Sequence, residues 1–378
     1  MKILVLCSTL DLSKPFSATP ALWQLFKAFY EENHELLIIP YQGNTIDSLW
    51  WKSYQNPNYY KGFVLEKLLK KFKGRHTNGK GKMIPRIARS VAKPSIVKLM
   101  KKILNEEKDI EAVLLIAVPL NQLNGLPSEI KTIKNLPIVY YDLDLPTSLP
   151  KYGGFTFNYY VDAKVNDYDS FIITSEGSKD DLLQLGVKKV HFVHFGVDPT
   201  VYSPIDIEKN TDFFFFGNGG KSRMNNIDIM VTQPSKILNK RFLASGRDLN
   251  INLGNTELIS PLSFTRWKIQ CCQSKINLNV VRELHANVYA TSTSRPFELA
   301  AMRCCIVSAP YKGLENWFEI GKEMYIINSL EECIDTYQML LDNEDLRNKV
   351  STAAYNRVQK EHTSKHRVRE IVNILNKI

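Results

Sequence analysis

The sequence predicts an α/β protein made of two doubly wound, Rossmann-like domains that face a central cleft. Short runs rich in Val, Ile, Leu and Phe alternate with helix-length segments along the whole chain, which is typical of parallel sheets covered by helices. Several runs are apolar at consecutive positions, as strands buried between two helix layers are. A chain of 378 residues is also longer than one hydrophobic core usually supports, so we expect two domains.

The first domain is predicted at residues 1–195. Its strand-like runs are KILVLC, ELLIIP, IEAVLLIAV, PIVYYDLDLP, SFIITS and KVHFVHFG. Helices are predicted between them, for example at residues 19–32 and at residues 178–185, where Gly186 is a stop signal. The next segment, GVDPTVYSPIDIEKNTD, carries prolines and acids without periodicity, so we interpret residues 196–211 as a hinge linker.

The second domain is predicted at residues 212–360, where the alternating pattern starts again. Its strand-like runs are FFFFG, RFLAS, KINLNVV, CCIVSAP and MYIIN. The polar C-terminal region predicts two helices, and we expect residues 361–378 to pack back on the first domain. Open α/β sheets bind ligands beyond the carboxyl ends of their strands, which places the expected ligand site in the cleft.

The net charge of +10 is concentrated in one region of the sequence. Between Lys61 and Lys102 there are fourteen Lys or Arg residues and one acid, Glu66. Residues 61–102 therefore predict a surface that attracts an anionic membrane or a phosphate-bearing acceptor. The alternative is two amphipathic helices that pack on the sheet and keep their lysines in water, with a loop at GRHTNGKGKMIPR between them.

The cysteines and the apolar runs indicate the compartment. The six cysteines show no C-x-x-C spacing, which fits neither a zinc site nor a disulfide framework. We expect reduced core cysteines. The longest apolar run, AVLLIAVPL, is about half of the roughly 20 residues that a membrane-spanning helix needs. The sequence thus predicts a cytoplasmic protein, peripheral on the inner face of the membrane.

Two motifs in the second half predict a site for a diphosphate. FFFFGNGGKSR runs from a strand into Gly217, Gly219 and Gly220 and then into Arg223. Such glycines let backbone amides approach a phosphate, to which a nearby cation adds charge. In TSTSRPFELAAM we expect a helix that starts near Ser294, with its open amides and dipole directed at the diphosphate.

Charged side chains complete this predicted site. Arg295 or Arg282 would pair with the phosphates, and Glu298 is placed in the first turn of the helix. A glutamate there either binds the ligand or closes a capping box on the helix N-terminus. Both interpretations remain open from the residues alone.

Four segments resemble GT-B-fold glycosyltransferases, in particular the group 1 and CgeB-like branch. These segments are VHFGVDPTVYSP, FFFFGNGG, SPLSFTRWKIQCCQSKINLNVVRE and TSRPFELAAMRCCIVS. They occur in the family's order, and the likeness covers about residues 168–363. The resemblance implies a metal-independent enzyme without a cofactor. It would move a sugar from a UDP- or GDP-sugar to a glycan or lipid-linked acceptor in the cleft.

The resemblance also implies roles for single residues. Glu298 matches the glutamate that binds the nucleotide ribose, Gly219 and Gly220 match the loop near the diphosphate, and Arg223 matches a basic residue beside it. Phe297, from the same helix motif, is assigned to the donor site with them.

Two positions depart from the family pattern. Ala290 stands where many retaining relatives have the first of two paired glutamates, which leaves retaining chemistry in doubt. Arg303 replaces a glycine that is expected after the helix.

The first half offers two carboxylates as catalytic candidates. Asp142 and Asp144, in VYYDLDLP, follow a strand and lie on one face by the period of two. One of them could take the acceptor proton or bind the acceptor; the alternative is a helix cap and turn. We expect no metal at this pair.

Two other functions remain as alternatives to a glycosyltransferase. One is a nucleotide-sugar epimerase or hydrolase of the same fold. The other is a non-catalytic basic protein that binds nucleic acid or an anionic surface.

Overall fold

The computed structural model describes residues 1–12, 19–61, 83–152 and 159–378, and the chain divides into two compact units. The first unit contains Met1–His194 and Arg367–Ile378, and the second contains Phe195–His366. Residues 62–82 of the predicted basic region (61–102) lie outside the described residues, and with them most of the predicted loop. The last residues of that loop, from Met83, belong instead to the helix Met83–Val91.

A sheet of seven parallel strands forms the centre of the first unit. Its order is β3-β2-β1-β4-β5-β6-β7, so the chain winds outward from the central strand in both directions, as in a doubly wound fold. The strands are β1 Lys2–Thr9, β2 Glu35–Gln42, β3 Lys52–Ser53, β4 Ala112–Ile116, β5 Ile138–Asp142, β6 Ser170–Ile173 and β7 Val190–Phe192. β4, β5 and β6 are buried at every position, which explains their unbroken apolar sequences.

Helices cover both faces of this sheet. Those of the described part of the first unit are Thr19–Glu31, Met83–Val91, Lys93–Glu106, Leu126–Lys131, Lys179–Gln184 and the C-terminal Ser364–Leu375. Two separate apolar clusters result, one on each face of the strands. Val368 and Ile371 from the C-terminal helix join the cluster that contains Phe29. Arg369 of the same helix pairs with Glu32, with Nε 2.7 Å from Oε2.

The second unit has a sheet of six parallel strands in the order β10-β9-β8-β11-β12-β13. The strands are β8 Thr211–Phe216, β9 Phe242–Ser245, β10 Glu257–Ile259, β11 Ser274–Asn279, β12 Ile306–Ser308 and β13 Tyr325–Ile326. The α-helices are Met224–Ile227, Gln233–Ile237, Phe264–Gln273, Glu283–Asn287, Ser294–Ala301, Leu330–Asp342 and Glu344–Glu361. The predicted fold class, two parallel α/β sheets flanked by helices, is confirmed.

The segment predicted as a linker makes ordered contacts inside the second unit. Val197 forms a β-bridge with Thr363, and its N–H donates to the carbonyl of His362. Tyr202 is buried and packs edge-on against the ring of Trp267. The start of this segment therefore belongs structurally to the second unit.

Candidate active site

The candidate site lies at the carboxyl edge of the second sheet. β8 and β11 are neighbours and parallel, so the segments that follow them, Gly217–Arg223 and Val280–Arg282, leave the sheet side by side. The helix Ser294–Ala301 precedes β12. A helix that connects parallel strands runs back along the sheet, which brings its N-terminus to the same edge.

The glycines after β8 are required by packing between two loops. A Cβ on Gly219 would lie 1.9 Å from the carbonyl oxygen of Asp248, and one on Gly246 would lie 1.7 Å from that of Gly217. The N–H of Gly219 donates to the carbonyl of Arg247 at 2.8 Å. We expected these glycines to let a ligand approach the backbone closely. At Gly219 it is the loop after β9 that makes this close approach. Gly220 differs, because its φ of +108° demands glycine and a Cβ there would meet open space.

Three arginines, Arg223, Arg282 and Arg295, form what we call the arginine cluster. Arg223 is fixed in place because its Nε donates to the carbonyl of Val280 at 3.0 Å and its Nη1 to that of Asn218 at 3.2 Å. Burial, with the positive charges of Arg282 and Arg295, lowers the pKa of Arg223 to about 10. Burial is the larger cause of this shift, and the two neighbouring positive charges add to it.

The helix Ser294–Ala301 begins at the site with open amides. Its N-cap residue, Thr293, makes no side-chain hydrogen bond to the helix. Glu298 is the fifth helical residue, so it does not lie in the first turn as we expected, and it makes no capping box. Its side chain is buried, with 7% of the residue exposed, and its Oε2 lies 3.2 Å from Nη1 of Arg295.

Arg295 is held by aromatic rings as well as by Glu298. Its guanidinium lies 4.6 Å from the ring centroid of Trp267 and 5.0 Å from that of Phe216, distances at which cation–π attraction is effective. Phe297 has a different place from the one its motif implied. It is fully buried and packs on Phe318, with ring centroids 5.5 Å apart, so its side chain belongs to the core.

One histidine beside the arginine cluster was not singled out from the sequence. His285 lies in the helix Glu283–Asn287, is buried, and within the described residues its Nε2 has no hydrogen-bond partner. Burial and the charges of Arg282 and Arg223 lower its pKa to about 3. Nothing in its local sequence distinguishes His285, because what sets it apart is the charge of Arg223, which is distant in the sequence.

The two residues that depart from the family pattern, Ala290 and Arg303, both have a positive φ. Arg303 adopts a φ of +55° after the helix Ser294–Ala301. The N–H of Arg303 donates to the carbonyl of Ala300 and that of Cys304 to the carbonyl of Leu299, which is the Schellman pattern that favours glycine. Ala290 also has a positive φ, +46°, and is fully buried.

The two candidate carboxylates of the first unit, Asp142 and Asp144, lie in different environments. Asp142 is 3% exposed, and its oxygens accept hydrogen bonds from the Asp144 N–H, the Ser148 hydroxyl and the Tyr160 hydroxyl at 2.8, 3.1 and 2.6 Å. Burial raises its pKa to about 6 in spite of these donors. Asp144 is only partly buried. The geometry gives Asp142 the turn-holding role that was the alternative interpretation of the pair.

The described residues contain no group of three or more His, Cys, Asp or Glu side chains arranged to hold a metal ion. No helix in this part of the chain has the length and apolar character that crossing a bilayer requires. All six cysteines are buried and unbridged.

Comparison with known proteins gives a family match for part of the second unit. Residues 245–373 match the family model described as "Glycosyl transferase-like", a match that does not specify the CgeB-like branch. No curated protein matches the chain.

Solved structures match over the whole chain. The chain is 13% identical to a glycosyltransferase from Rickettsia africae, with 100% of this chain and 98% of that one covered and a TM-score of 0.63. It is 9% identical to the sucrose-phosphate synthase of Thermosynechococcus elongatus, with 100% and 99% covered and a TM-score of 0.69. It is 13% identical to HepE of Anabaena, solved in complex with UDP, with 100% of both chains covered and a TM-score of 0.65.

These identities are too low to carry more than the fold, and the functional assignment rests on the matched family segment, which contains Arg282, Arg295 and Glu298. The chain therefore has the two-domain GT-B fold of these structures, and residues 245–373 are its glycosyl transferase-like segment.

Proposed function

We propose that the second unit binds a UDP- or GDP-sugar with its diphosphate against the arginine cluster and the open amides of the helix Ser294–Ala301. The observation that carries this proposal is the arginine cluster at the carboxyl edge of the sheet, where two backbone carbonyls hold Arg223 in place. Burial, and then the charges of the other two arginines, lower the pKa of Arg223. An anion would offset the repulsion between these charges, and arginine binds phosphate oxygens in two-point contacts. The UDP complex of HepE supports a nucleotide of this kind.

We assign the ribose of the donor to Glu298. Its Oε2 pairs with Arg295, and within the described residues its Oε1 has no hydrogen bond, so a ribose hydroxyl can donate to it. The pairing also fixes the carboxylate before the donor arrives, since Arg295 is itself held against Trp267. A preorganised acceptor of this kind binds more tightly because less motion is lost on binding.

For the transfer step, we propose Asp144 as the base that takes the proton of an acceptor hydroxyl. The carboxylate of Asp142 is buried and accepts three hydrogen bonds within its turn. Asp144 is more exposed and is therefore the more accessible of the pair to an acceptor. The arginine cluster would stabilise the departing nucleoside diphosphate, whose negative charge grows as the glycosidic bond breaks. The acceptor is proposed to be a glycan or a lipid-linked sugar.

Isothermal titration of the protein with UDP-glucose and with GDP-mannose tests the donor site. We expect Glu298→Gln to weaken binding of the preferred donor about 10- to 100-fold, because a hydrogen bond to a charged acceptor contributes roughly 1.5–3 kcal/mol. Glu323→Gln is the matched control. Glu323 is also buried and also pairs with an arginine, Arg357, at 3.1 Å. Unchanged donor affinity in Glu298→Gln would refute the assignment.

We also propose that the described part of the basic region associates with an anionic membrane. In the helix Met83–Val91, Ile87 and Val91 are exposed by 38% and 44%, and Arg86 is exposed beside them. In the helix Lys93–Glu106 the apolar face is buried in the core, and Lys98 and Lys102 are exposed.

Cosedimentation with vesicles tests this second proposal. Binding should require anionic lipid, weaken with salt and fall at least tenfold in the double variant Lys98→Glu and Lys102→Glu, since each basic residue contributes about 1 kcal/mol. The control is Lys236→Glu with Lys240→Glu, an equal charge change at exposed positions of the second unit. Equal loss of binding in both double variants would show that net charge alone is responsible.

A further inference from the structure

His285 lies beside the proposed donor site, but it has no role in the donor binding proposed above. It is the third residue of the helix Glu283–Asn287, and this helix begins directly after Arg282. The residue is 9% exposed, and its buried Nε2 has no hydrogen-bond partner among the described residues. A buried polar atom without a partner costs roughly 1–3 kcal/mol, so its presence beside a binding site calls for a ligand that completes it.

The charged groups around His285 are nearly all positive. Arg282 precedes its helix, and Arg223 reaches it from the turn after β8, whose own lysine is Lys221. Lys312 lies on a third segment beside this helix, where its N–H donates to the carbonyl of Ala286 at 3.0 Å, and its side chain is exposed. The helix itself contributes one acid, Glu283, which is exposed.

These surroundings keep the imidazole neutral while no anion is bound. Burial, followed by the charges of Arg282 and Arg223, holds the pKa of His285 at about 3. A nucleoside diphosphate sugar brings two negative charges to the arginines. Its charge would offset the repulsion from the arginines, and its oxygens would accept a hydrogen bond from the protonated ring. Both effects raise the pKa of the imidazole and oppose the effect of burial.

We propose that His285 takes up a proton from solvent at Nε2 when a nucleoside diphosphate sugar binds beside Arg223 and Arg282, and donates that hydrogen to the diphosphate. This inference rests on the proposed donor site. In this step an N–H bond forms at Nε2 as the buffer acid gives up its proton, and the proton returns to the buffer when the nucleoside diphosphate leaves. While bound, the imidazolium adds a positive charge that the departing diphosphate needs as its glycosidic bond breaks.

Calorimetric titration with UDP-glucose in buffers of different ionisation enthalpy measures this proton directly. The two phosphates of UDP-glucose are diesterified and do not titrate near neutral pH, so any proton exchanged belongs to the protein. At pH 6 we expect uptake of roughly 0.5–1 proton per donor bound. In His285→Gln, which keeps an N–H donor but cannot titrate, uptake should fall to near zero while binding persists.

His191→Gln is the matched control. His191, in β7 of the first unit, also has a buried Nε2 without a partner among the described residues, and its pKa is also lowered by burial. It has no arginine cluster beside it, so its replacement should leave the proton uptake unchanged.

The outcomes separate this inference from the proposed function. Donor binding without proton uptake, or uptake that persists in His285→Gln, would overturn the role of His285 and leave the donor site intact. Absence of binding to both UDP-glucose and GDP-mannose would overturn the donor site itself. If His285→Gln does not fold, the imidazole nitrogen shifts of the wild-type protein decide the question, since UDP-glucose at pH 6 should move those of one buried histidine to the protonated range.

Discussion

Replacing Asp142 by asparagine should stabilise the first unit at neutral pH. Folding raises the pKa of this carboxyl from 3.8 to about 6, mainly through burial. Each pKa unit corresponds to about 1.4 kcal/mol, so ionising Asp142 in the folded protein costs up to about 3 kcal/mol. Below pH 3.8 the group is protonated in both states and its full contribution to stability is present. This contribution is lost as the pH rises through 6.

Asparagine can replace the protonated carboxyl without loss of contacts. Its amide oxygen can accept from the Asp144 N–H, and its amide nitrogen can donate to the hydroxyl oxygens of Tyr160 and Ser148, which are able to accept. The free energy of unfolding of Asp142→Asn should therefore exceed that of the wild type by as much as about 3 kcal/mol at pH 8. The difference should shrink towards zero below pH 4.

Hydrogen exchange of peptides that cover Ile138–Asp142, followed in increasing urea at several pH values, measures this stability locally. The same variant should retain sugar transfer, whereas Asp144→Asn should lose most of it, since only Asp144 is proposed as the base. A variant that is less stable than the wild type at pH 8 would refute the account, because it would show that the buried charge stabilises the turn. Loss of transfer in Asp142→Asn with intact structure would refute the division of roles.

Two smaller predictions concern the backbone of the second unit. Arg303→Gly should raise its melting temperature by about 2–4 °C, because glycine removes a left-handed strain of roughly 1–2 kcal/mol and loses only an exposed hydrogen bond to Thr352; Arg303→Ala, which keeps the strain, should lower it. Gly219→Ala should destabilise by at least about 3 kcal/mol, because the added methyl meets backbone that cannot yield. Gly217→Ala should cost less, since its nearest neighbours are ring atoms of Phe215 at 3.0 and 3.1 Å. Equal melting curves for the two alanine variants would contradict the packing argument.

Most of the fold could be predicted because buried parallel strands have distinctive sequences. Every described strand except β3 and β10 corresponds to an apolar run. Those two are edge strands of two and three residues, and edges bury one side at most. Their sequences, Lys-Ser and Glu-Leu-Ile, carry no apolar pattern to detect. These strands form because β2 and β9 offer hydrogen-bonding edges to which they can pair. That pairing depends on the tertiary structure and has no local sequence pattern.

The site was predictable in position but less so in the role of each residue. The glycines, Arg223 and the start of the helix near Ser294 follow from local sequence, because strand ends and helix starts have local signals. That Gly219 packs on Asp248 could not be foreseen, since the two lie in separate connections of the sheet. For the same reason the sequence placed Phe297 with Glu298, its chain neighbour, although consecutive helical residues point in directions about 100° apart.

The pairing of Arg295 with Glu298 changes how the arginine cluster should be understood. One of its three positive charges is already offset by the carboxylate, and the same guanidinium rests on Trp267. Arg282 and Arg223 are the charges that act on His285. A diphosphate should therefore act most strongly on these two arginines and on the imidazole of His285, whose pKa both arginines lower. In that case the proton on His285 and the ribose contact of Glu298 report separate halves of the donor, and a variant of one should leave the signal of the other in place.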